Sequence, residues 1–237
     1  MDVFNAEVLP EYGVHAPCVV VHDYIELFGS KYDHLAGWVR QQILKLSVAK
    51  ILNPEDMFYV CLDTKNVLIK EWSDLDLITA DSKVRLHRRA VSYDNPMNMM
   101  ASHNYYNEGK NNFPDYYANI ITPFPMNIEY VQEMLSQPNL LNDLANDPAI
   151  YEFGLYYSYL ISTDRENIHQ LHDPVYVATL WYNETAQFTD FVFELIKRKE
   201  LKWFGLHRRI ENADSGIKTR VMNMLCDMGV FKRLNSR

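Results

Sequence analysis

Histidines close to carboxylates are the residues of this sequence whose types and spacing could do chemistry. His22 and Asp23 are adjacent, and His34 follows a short distance later. Imidazole and carboxylate groups can hold a divalent metal ion that activates water, so a metal-dependent hydrolase is one hypothesis. However, the flanking CVVV and YIEL favour a β-strand, on which His22 and Asp23 would point to opposite faces.

A second cluster lies in the stretch ENIHQLHDP, which contains His169 and His172. On a helix, residues three apart share one face, where they could bind a divalent metal with a third ligand from elsewhere. The alternative is two histidines near a helix C-terminus, where the helix dipole favours their charged forms. Asp173 before Pro174 is then the cap of the next helix.

No motif of the chain specifies a catalytic chemistry. A glycine-rich phosphate loop, GxSxG and HExxH are all missing from the sequence, which holds only eight glycines. We therefore predict no catalytic residue, no bound metal and no cofactor, with His169 and His172 as the remaining metal-ligand candidates. The sequence favours a protein that is not an enzyme.

Charge is distributed unevenly along the chain. The net charge is −8, yet residues 197–237 hold eleven basic and four acidic residues, a net charge of +7. This basic C-terminal end predicts an anion-facing surface, and a nucleic-acid-binding module is one alternative function. A basic end and an acidic body are also complementary between copies of one protein. The residues of the predicted basic surface are Lys197, Arg198, Lys199, Lys202, Arg208, Arg209, Lys218 and Arg220.

Composition indicates a folded protein without a membrane span. Hydrophobic residues make up 48% of the 237 residues, enough for a substantial core. The three cysteines show no metal-ligand spacing, which favours reduced thiols. The N-terminus lacks a basic stretch followed by an apolar one, and the apolar runs are short. We expect a soluble protein of a reducing compartment, in the cytoplasm or in a virion.

Hydrophobic periodicity predicts an α+β fold. Residues 1–91 read as strand, helix, strand, turn, strand and strand, with strands at 17–28, MFYVCL, VLIKEW and KVRLHRRAV. This order of elements resembles the β-grasp, or ubiquitin-like, arrangement; an unrelated small α+β domain is the alternative. From residue 126 to 237 every segment reads as helix, at 127–137, 138–146, 148–162, 174–200 and 215–229. We therefore expect a small mixed N-terminal domain followed by an all-helical C-terminal bundle.

Residues 92–125 interrupt both periods and are rich in Asn, Tyr and Met. A long irregular stretch in a compact protein is usually functional or contact-making, and aromatic side chains suit contact surfaces. We predict a linker or contact loop. The alternative is that its aromatic residues pin it to its own domain. Its candidate contact residues are Tyr105, Tyr106, Phe113, Tyr116 and Tyr117.

Together these observations predict a protein-interaction or assembly component of a larger complex. Protein partners are expected, in a homo- or hetero-oligomer, with nucleic acid as a further candidate partner. The richness in Asn, Tyr and Met is also typical of structural proteins of phage or viral particles, such as connector, neck or baseplate pieces.

Overall fold

The chain folds into two compact units, each built from two separate stretches. The computed structural model describes residues 4–10, 17, 20, 22, 27–70, 73–90, 96–108, 114–172, 177–180, 186–198, 200–207 and 212–227. Unit one comprises Met1–Met57 with Asn127–Glu152, and unit two comprises Phe58–Met126 with Phe153–Arg237.

Helices occur in both units. In the described part of the chain, the α-helices are α1 (Gly37–Ser47), α2 (Asp74–Leu77), α3 (Pro96–Asn107), α4 (Ile128–Leu135), α5 (Leu140–Asn146), α6 (Glu152–Ser162), α7 (Ala186–Lys197) and α8 (Ser215–Asp227). Short 3-10 turns occupy Val48–Ile51, Pro54–Asp56 and Glu166–Ile168, and Phe4–Val8 is π-helical.

Within the described ranges, short strands form three small sheets. The strands are β1 (Phe58–Cys61), β2 (Asn66–Leu68), β3 (Val84–Ala90), β4 (Tyr116–Ala118), β5 (Phe124–Asn127), β6 (His169–His172), β7 (Val177–Leu180) and β8 (Trp203–Leu206). One sheet pairs β1 with β5, a second has the order β2-β8-β7, and the third has the order β4-β3-β6. β3 runs parallel to β6 and antiparallel to β4.

Unit one is a small helical layer. Helix α4 begins at Asn127, whose side chain accepts a hydrogen bond from the backbone N–H of Tyr130, a standard cap for the first turn. On α1, α4 and α5 one face of apolar residues at helical spacing is buried. These residues are Val39, Ile43, Leu46, Ile128, Val131, Met134, Leu140 and Leu144. Because α4 and α5 are short, burial of these faces supplies their stability.

Helix α6 lies in the core of unit two. Phe153, Leu155, Tyr156, Tyr157, Tyr159 and Leu160 are all buried, and a helix that is apolar on every side belongs inside a protein. The Phe124 ring stacks on Phe153 with centroids 4.2 Å apart. The Tyr117 hydroxyl donates to the backbone carbonyl of Gly154 at 2.9 Å. The helix thus organises β4 and β5 around itself.

A second apolar cluster joins the sheet β2-β8-β7 to helices α7 and α8. It consists of Ala178, Leu180, Val192, Leu201, Phe204, Val221 and Leu225. Strands β7 and β8 run parallel, with Thr179 opposite Gly205. A Cβ atom at position 205 would overlap the Thr179 side chain, so glycine permits this close pairing.

The predicted fold class is wrong. Strands β6, β7 and β8 lie within residues 126–237, which were expected to be entirely helical. The β-grasp expectation fails too, because β1 pairs with β5, β2 with β8, and β3 with β4 and β6. The structure is a mixture of helices and small sheets along the chain. Whether these segments become strands depends on pairing with strands far away in the sequence, and local periodicity carries no information about that pairing.

The predicted helices and strands agree with the structure where the local sequence signals are strong. The helices expected at 127–137, 138–146, 148–162 and 215–229 correspond to α4, α5, α6 and α8. The segment 174–200 instead contains strand β7 and then α7. Residues 92–125 contain α3 and β4 rather than a continuous loop. The strand expected at 17–28 lies largely outside the described residues.

A pair of leucine substitutions in one sheet tests the second cluster. Leu180 of β7 is fully buried, whereas Leu68 of β2 is 48% exposed. We expect Leu180→Ala to lower the free energy of unfolding by about 2–5 kcal/mol, the usual cost of a buried leucine. Leu68→Ala, the matched control, should cost less than about 1 kcal/mol. Equal losses in urea denaturation would contradict the placement of this cluster.

Candidate functional site

The register of β3 with β6 sorts the polar residues of both strands onto two faces. Val84 lies opposite His169, and Leu86 opposite Leu171, on the buried face. Arg85 pairs with Gln170, and His87 with His172, on the other face, because alternate residues of a strand share a face. One face thus contributes a buried histidine to the core, and the other collects basic and imidazole groups.

His169 is a buried histidine with both ring nitrogens in hydrogen bonds. Nε2 lies 2.8 Å from the Tyr156 hydroxyl and Nδ1 lies 3.2 Å from the carbonyl oxygen of Val84. A neutral ring that donates from Nδ1 and accepts at Nε2 satisfies both partners. Burial lowers the pKa of His169 to about 4, against the smaller opposite effect of the Val84 hydrogen bond. This histidine is therefore neutral in the folded core.

The opposite face opens into a small pocket with a volume of about 30 Å³. The His87 and His172 rings lie side by side with centroids 5.3 Å apart. The pocket is lined by Asp76, Leu77, Arg85, Leu86, His87, Asn119, Pro123, Phe124, Pro125, His172 and Trp203. The depression is therefore of mixed character, with imidazole, guanidinium, carboxamide and carboxylate groups beside leucine, proline and aromatic side chains.

Asp76 is the acidic residue of this lining, and it is held in place by hydrogen bonds. It forms an ion pair with Lys202 and accepts from the backbone N–H of Ser73 at 2.9 Å and from the Ser73 hydroxyl at 3.1 Å. Desolvation raises the pKa of Asp76, but the hydrogen bonds from Lys202 and Ser73 together hold it below its usual value. Its negative charge is thus offset locally by Lys202.

The expected helical face carrying His169 and His172 does not exist. Both residues lie on strand β6, three positions apart, and therefore point to opposite faces. Among the described residues, no group of three His, Cys, Asp or Glu side chains could hold a metal ion. His22 and His34 are exposed, and Asp23 lies outside the described residues.

The structure brings His172 together with His87, a residue that the sequence analysis did not single out. His87 belongs to the stretch VRLHRRA, whose alternation of apolar and polar residues did predict a strand. The alternation indicates that Arg85 and His87 share a face. It gives no information about the strand that lies alongside, so the pair with His172 was not visible.

The predicted basic surface is partly neutralised by ion pairs within unit two. Lys197 contacts Glu194 at 2.8 Å, Arg220 pairs with Asp190, and Lys202 pairs with Asp76. The exposed remainder of the described set is Arg198 and Lys218. Lys199, Arg208 and Arg209 lie outside the described residues.

The predicted contact residues of 92–125 divide between core and surface. Tyr117 is fully buried, and the Tyr106 ring packs edge-on against Tyr159 with centroids 5.4 Å apart. Tyr105 packs against Tyr106. Tyr116 is 44% exposed and lies beneath the Arg88 guanidinium at 4.5 Å. Phe113 lies outside the described residues. Tyr106 and Tyr117 therefore attach this segment to its own unit by packing in the core.

Comparisons of the chain with protein-family models, curated proteins and solved structures find no match. None of the helices in the described ranges has both the length and the apolar character that crossing a bilayer requires.

The neutral state of His169 predicts a pH-dependent contribution to stability. Its pKa is about 4 in the folded chain against an ordinary value of 6.5. Between pH 6.5 and 4, His169 binds a proton in the unfolded chain but not in the folded chain. Its contribution to the free energy of unfolding is therefore full above about pH 6.5 and is lost as the pH falls towards 4. Each pKa unit corresponds to about 1.4 kcal/mol. We expect a loss of roughly 3 kcal/mol over that window.

The measurement is denaturant unfolding of wild type, His169→Gln and His34→Gln at several pH values between about 4 and 8. His169→Gln should be less stable than wild type at neutral pH, and this deficit should shrink as the pH falls. The exposed His34 supplies the matched control, with a difference from wild type that does not follow this pH trend. A deficit of His169→Gln that is independent of pH would refute the neutral buried state.

Proposed function

We propose that this chain is a non-enzymatic assembly component that associates with further copies of itself. In this arrangement the basic C-terminal end of one copy contacts the acidic unit one of the next. Such a head-to-tail contact is heterologous, so it builds a ring or a stack of subunits.

The division of charge between the two compact units carries this proposal. Unit one contains four basic and thirteen acidic residues, a net charge of −9, whereas unit two has a net charge of +1. Within unit two, residues 197–237 alone contribute +7. Opposite potentials on two surfaces accelerate and orient association between copies.

Exposed charges are available in both units. Arg198 and Lys218 are exposed in unit two, and Glu129 and Asp147 are exposed in unit one. The stretch 127–152 of unit one contains five acidic residues and no basic one. An acidic surface of this kind disfavours a nucleic acid backbone as the partner and favours a basic protein surface.

An exposed aromatic pair supports the choice of a protein partner. Phe188 and Phe191 of α7 are 37% and 56% exposed, with ring centroids 6.4 Å apart. Asp190 lies between these two phenylalanines on α7 and forms an ion pair with Arg220 of α8. Aromatic residues next to arginine are enriched in protein interfaces.

Light scattering coupled to size-exclusion chromatography tests self-association. At low salt we expect a concentration-dependent mass above the 27.9 kDa of one chain. At about 1 M salt the mass should approach one chain, because screening then acts within about 3 Å. Arg198→Glu combined with Lys218→Glu should weaken association at low salt by about tenfold or more.

Lys31→Glu combined with Lys50→Glu is the matched control. It changes the net charge by the same amount, but it makes the acidic unit one more acidic, since both lysines are exposed there. We expect unchanged or stronger association. A single chain at every salt concentration would overturn the proposal. Equal weakening by both double variants would show that association depends only on total charge and not on the C-terminal surface. Salt-sensitive binding of duplex DNA by the monomer would instead favour the nucleic-acid alternative.

A further inference from the structure

Helix α7 carries an exposed stripe of two aromatic side chains that ends in a cation. Phe188 and Phe191 are 37% and 56% exposed, with ring centroids 6.4 Å apart. The backbone N–H of Arg198 donates to the carbonyl of Glu194 at 3.0 Å, so the helical turn continues to this exposed arginine. Residues three and seven positions apart lie on one face of a helix. The α7 stripe therefore consists of Phe188, Phe191 and Arg198.

The core of unit two uses a different side of α7. Val192 is fully buried, and Phe193 and Ile196 pack against the same apolar cluster. Exposed apolar residues that occur singly are common, whereas neighbouring ones rimmed by charged groups mark interaction sites. The α7 stripe is a group of the second kind, because Arg198 ends it and Asp190 lies between its two phenylalanines.

Unit one carries an aromatic pair beside a carboxylate. Trp38, at the start of α1, is 46% exposed, and its ring centroid lies 6.5 Å from that of the half-buried Tyr151. Asp147 is exposed in the turn that leads to Tyr151. Its carboxylate accepts a hydrogen bond from the backbone N–H of Ala149 at 2.8 Å, which holds it in place. We call Trp38, Tyr151 and Asp147 the α1 patch.

The α7 stripe and the α1 patch are alike in aromatic character and opposite in charge. Tryptophan, tyrosine and arginine are the residues that most often dominate binding energy at protein interfaces, and they tend to meet one another. A guanidinium is attracted to the face of a tryptophan ring, and it forms charge-assisted hydrogen bonds with a carboxylate. Arg198 can therefore use both Trp38 and Asp147. A second copy of this chain supplies both of these partners.

The area of the rings indicates how strong such a contact is. A large aromatic side chain buries about 150–250 Å² when it is wholly covered. Phe188, Phe191 and Trp38 expose about half of their surfaces, so covering them removes roughly 200–400 Å². A stable interface buries about 1,200–2,000 Å² in total. The rings alone are therefore insufficient, and the surrounding charges must contribute, as in an association that salt weakens.

We propose that the α7 stripe of one copy packs on the α1 patch of the next copy, with Arg198 against Trp38 and Asp147. This inference rests on the proposed self-association and names the two surfaces that meet in it. Because the two surfaces differ, each copy keeps one stripe and one patch for further neighbours. The contact is therefore head-to-tail.

Serine substitutions test the aromatic part of the contact without changing any charge. We expect Phe191→Ser and Trp38→Ser each to weaken association at low salt about tenfold or more, the usual effect of truncating a central interface residue. Light scattering coupled to size-exclusion chromatography measures the mass. Met100→Ser in unit two and Ile51→Ser in unit one are the matched controls, because these side chains are 45% and 46% exposed outside the stripe and the patch. Both controls should associate as the wild type does.

An equimolar mixture of the two test variants shows whether stripe and patch meet each other. Phe191→Ser retains an intact patch, and Trp38→Ser retains an intact stripe. At a concentration where each variant alone is a single chain, the mixture should form one intact contact per pair of chains. We expect a mass of two chains, which also shows that both variants are folded.

Each contrary outcome identifies which idea fails. Salt-sensitive association that both serine variants retain in full would overturn this pairing and leave the assembly proposal in place. Weakening by only one of the two variants would also overturn it, as would a mixture that stays at the mass of one chain. A wild type that is a single chain at every salt concentration would remove the assembly proposal and the pairing together.

Discussion

The parallel pairing of β3 with β6 is the interaction on which the rest of unit two depends. It connects residues 84–87 with residues 169–172 and thereby fixes two environments at once. His169 enters the core and meets Tyr156 of α6, while His172 reaches the outer face beside His87. A shift of one residue in this register would exchange the two faces. The buried neutral histidine and the polar pocket are therefore two consequences of one register.

Helix α6 contacts strand β6 of this pair through the hydrogen bond between Tyr156 and His169. Tyr117 and Phe124 pack against this helix, and its own Tyr156 contacts the His169 ring. Each large buried ring contributes on the order of 2 kcal/mol of apolar transfer. The Asn107 side chain donates to both the carbonyl and the hydroxyl of Ser158. Asn107 of α3 is thus hydrogen-bonded to α6 inside this core.

The proposed association depends on long-range electrostatics. Self-association draws on the separation of charge between units, an effect that acts over a Debye length and that salt removes. Three of the described lysines and arginines near the C-terminal end, Lys197, Lys202 and Arg220, pair with carboxylates of their own unit. Net charge along the sequence therefore overstates the charge that a partner meets.

Elements with strong local signals can be read from the sequence. The amphipathic helices α4, α5 and α8, with the cap of α4 at Asn127, and the alternating strand β3 were visible in it, because spacing and capping act between near neighbours. The charge asymmetry was also readable directly. The tertiary structure alone decided that His169–His172 and Val177–Leu180 are strands, that Tyr117 belongs to the core, and that His87 lies beside His172. The physical reason is that strand pairing joins residues about eighty positions apart, and a backbone hydrogen bond to a distant strand leaves no local periodicity to identify its partner.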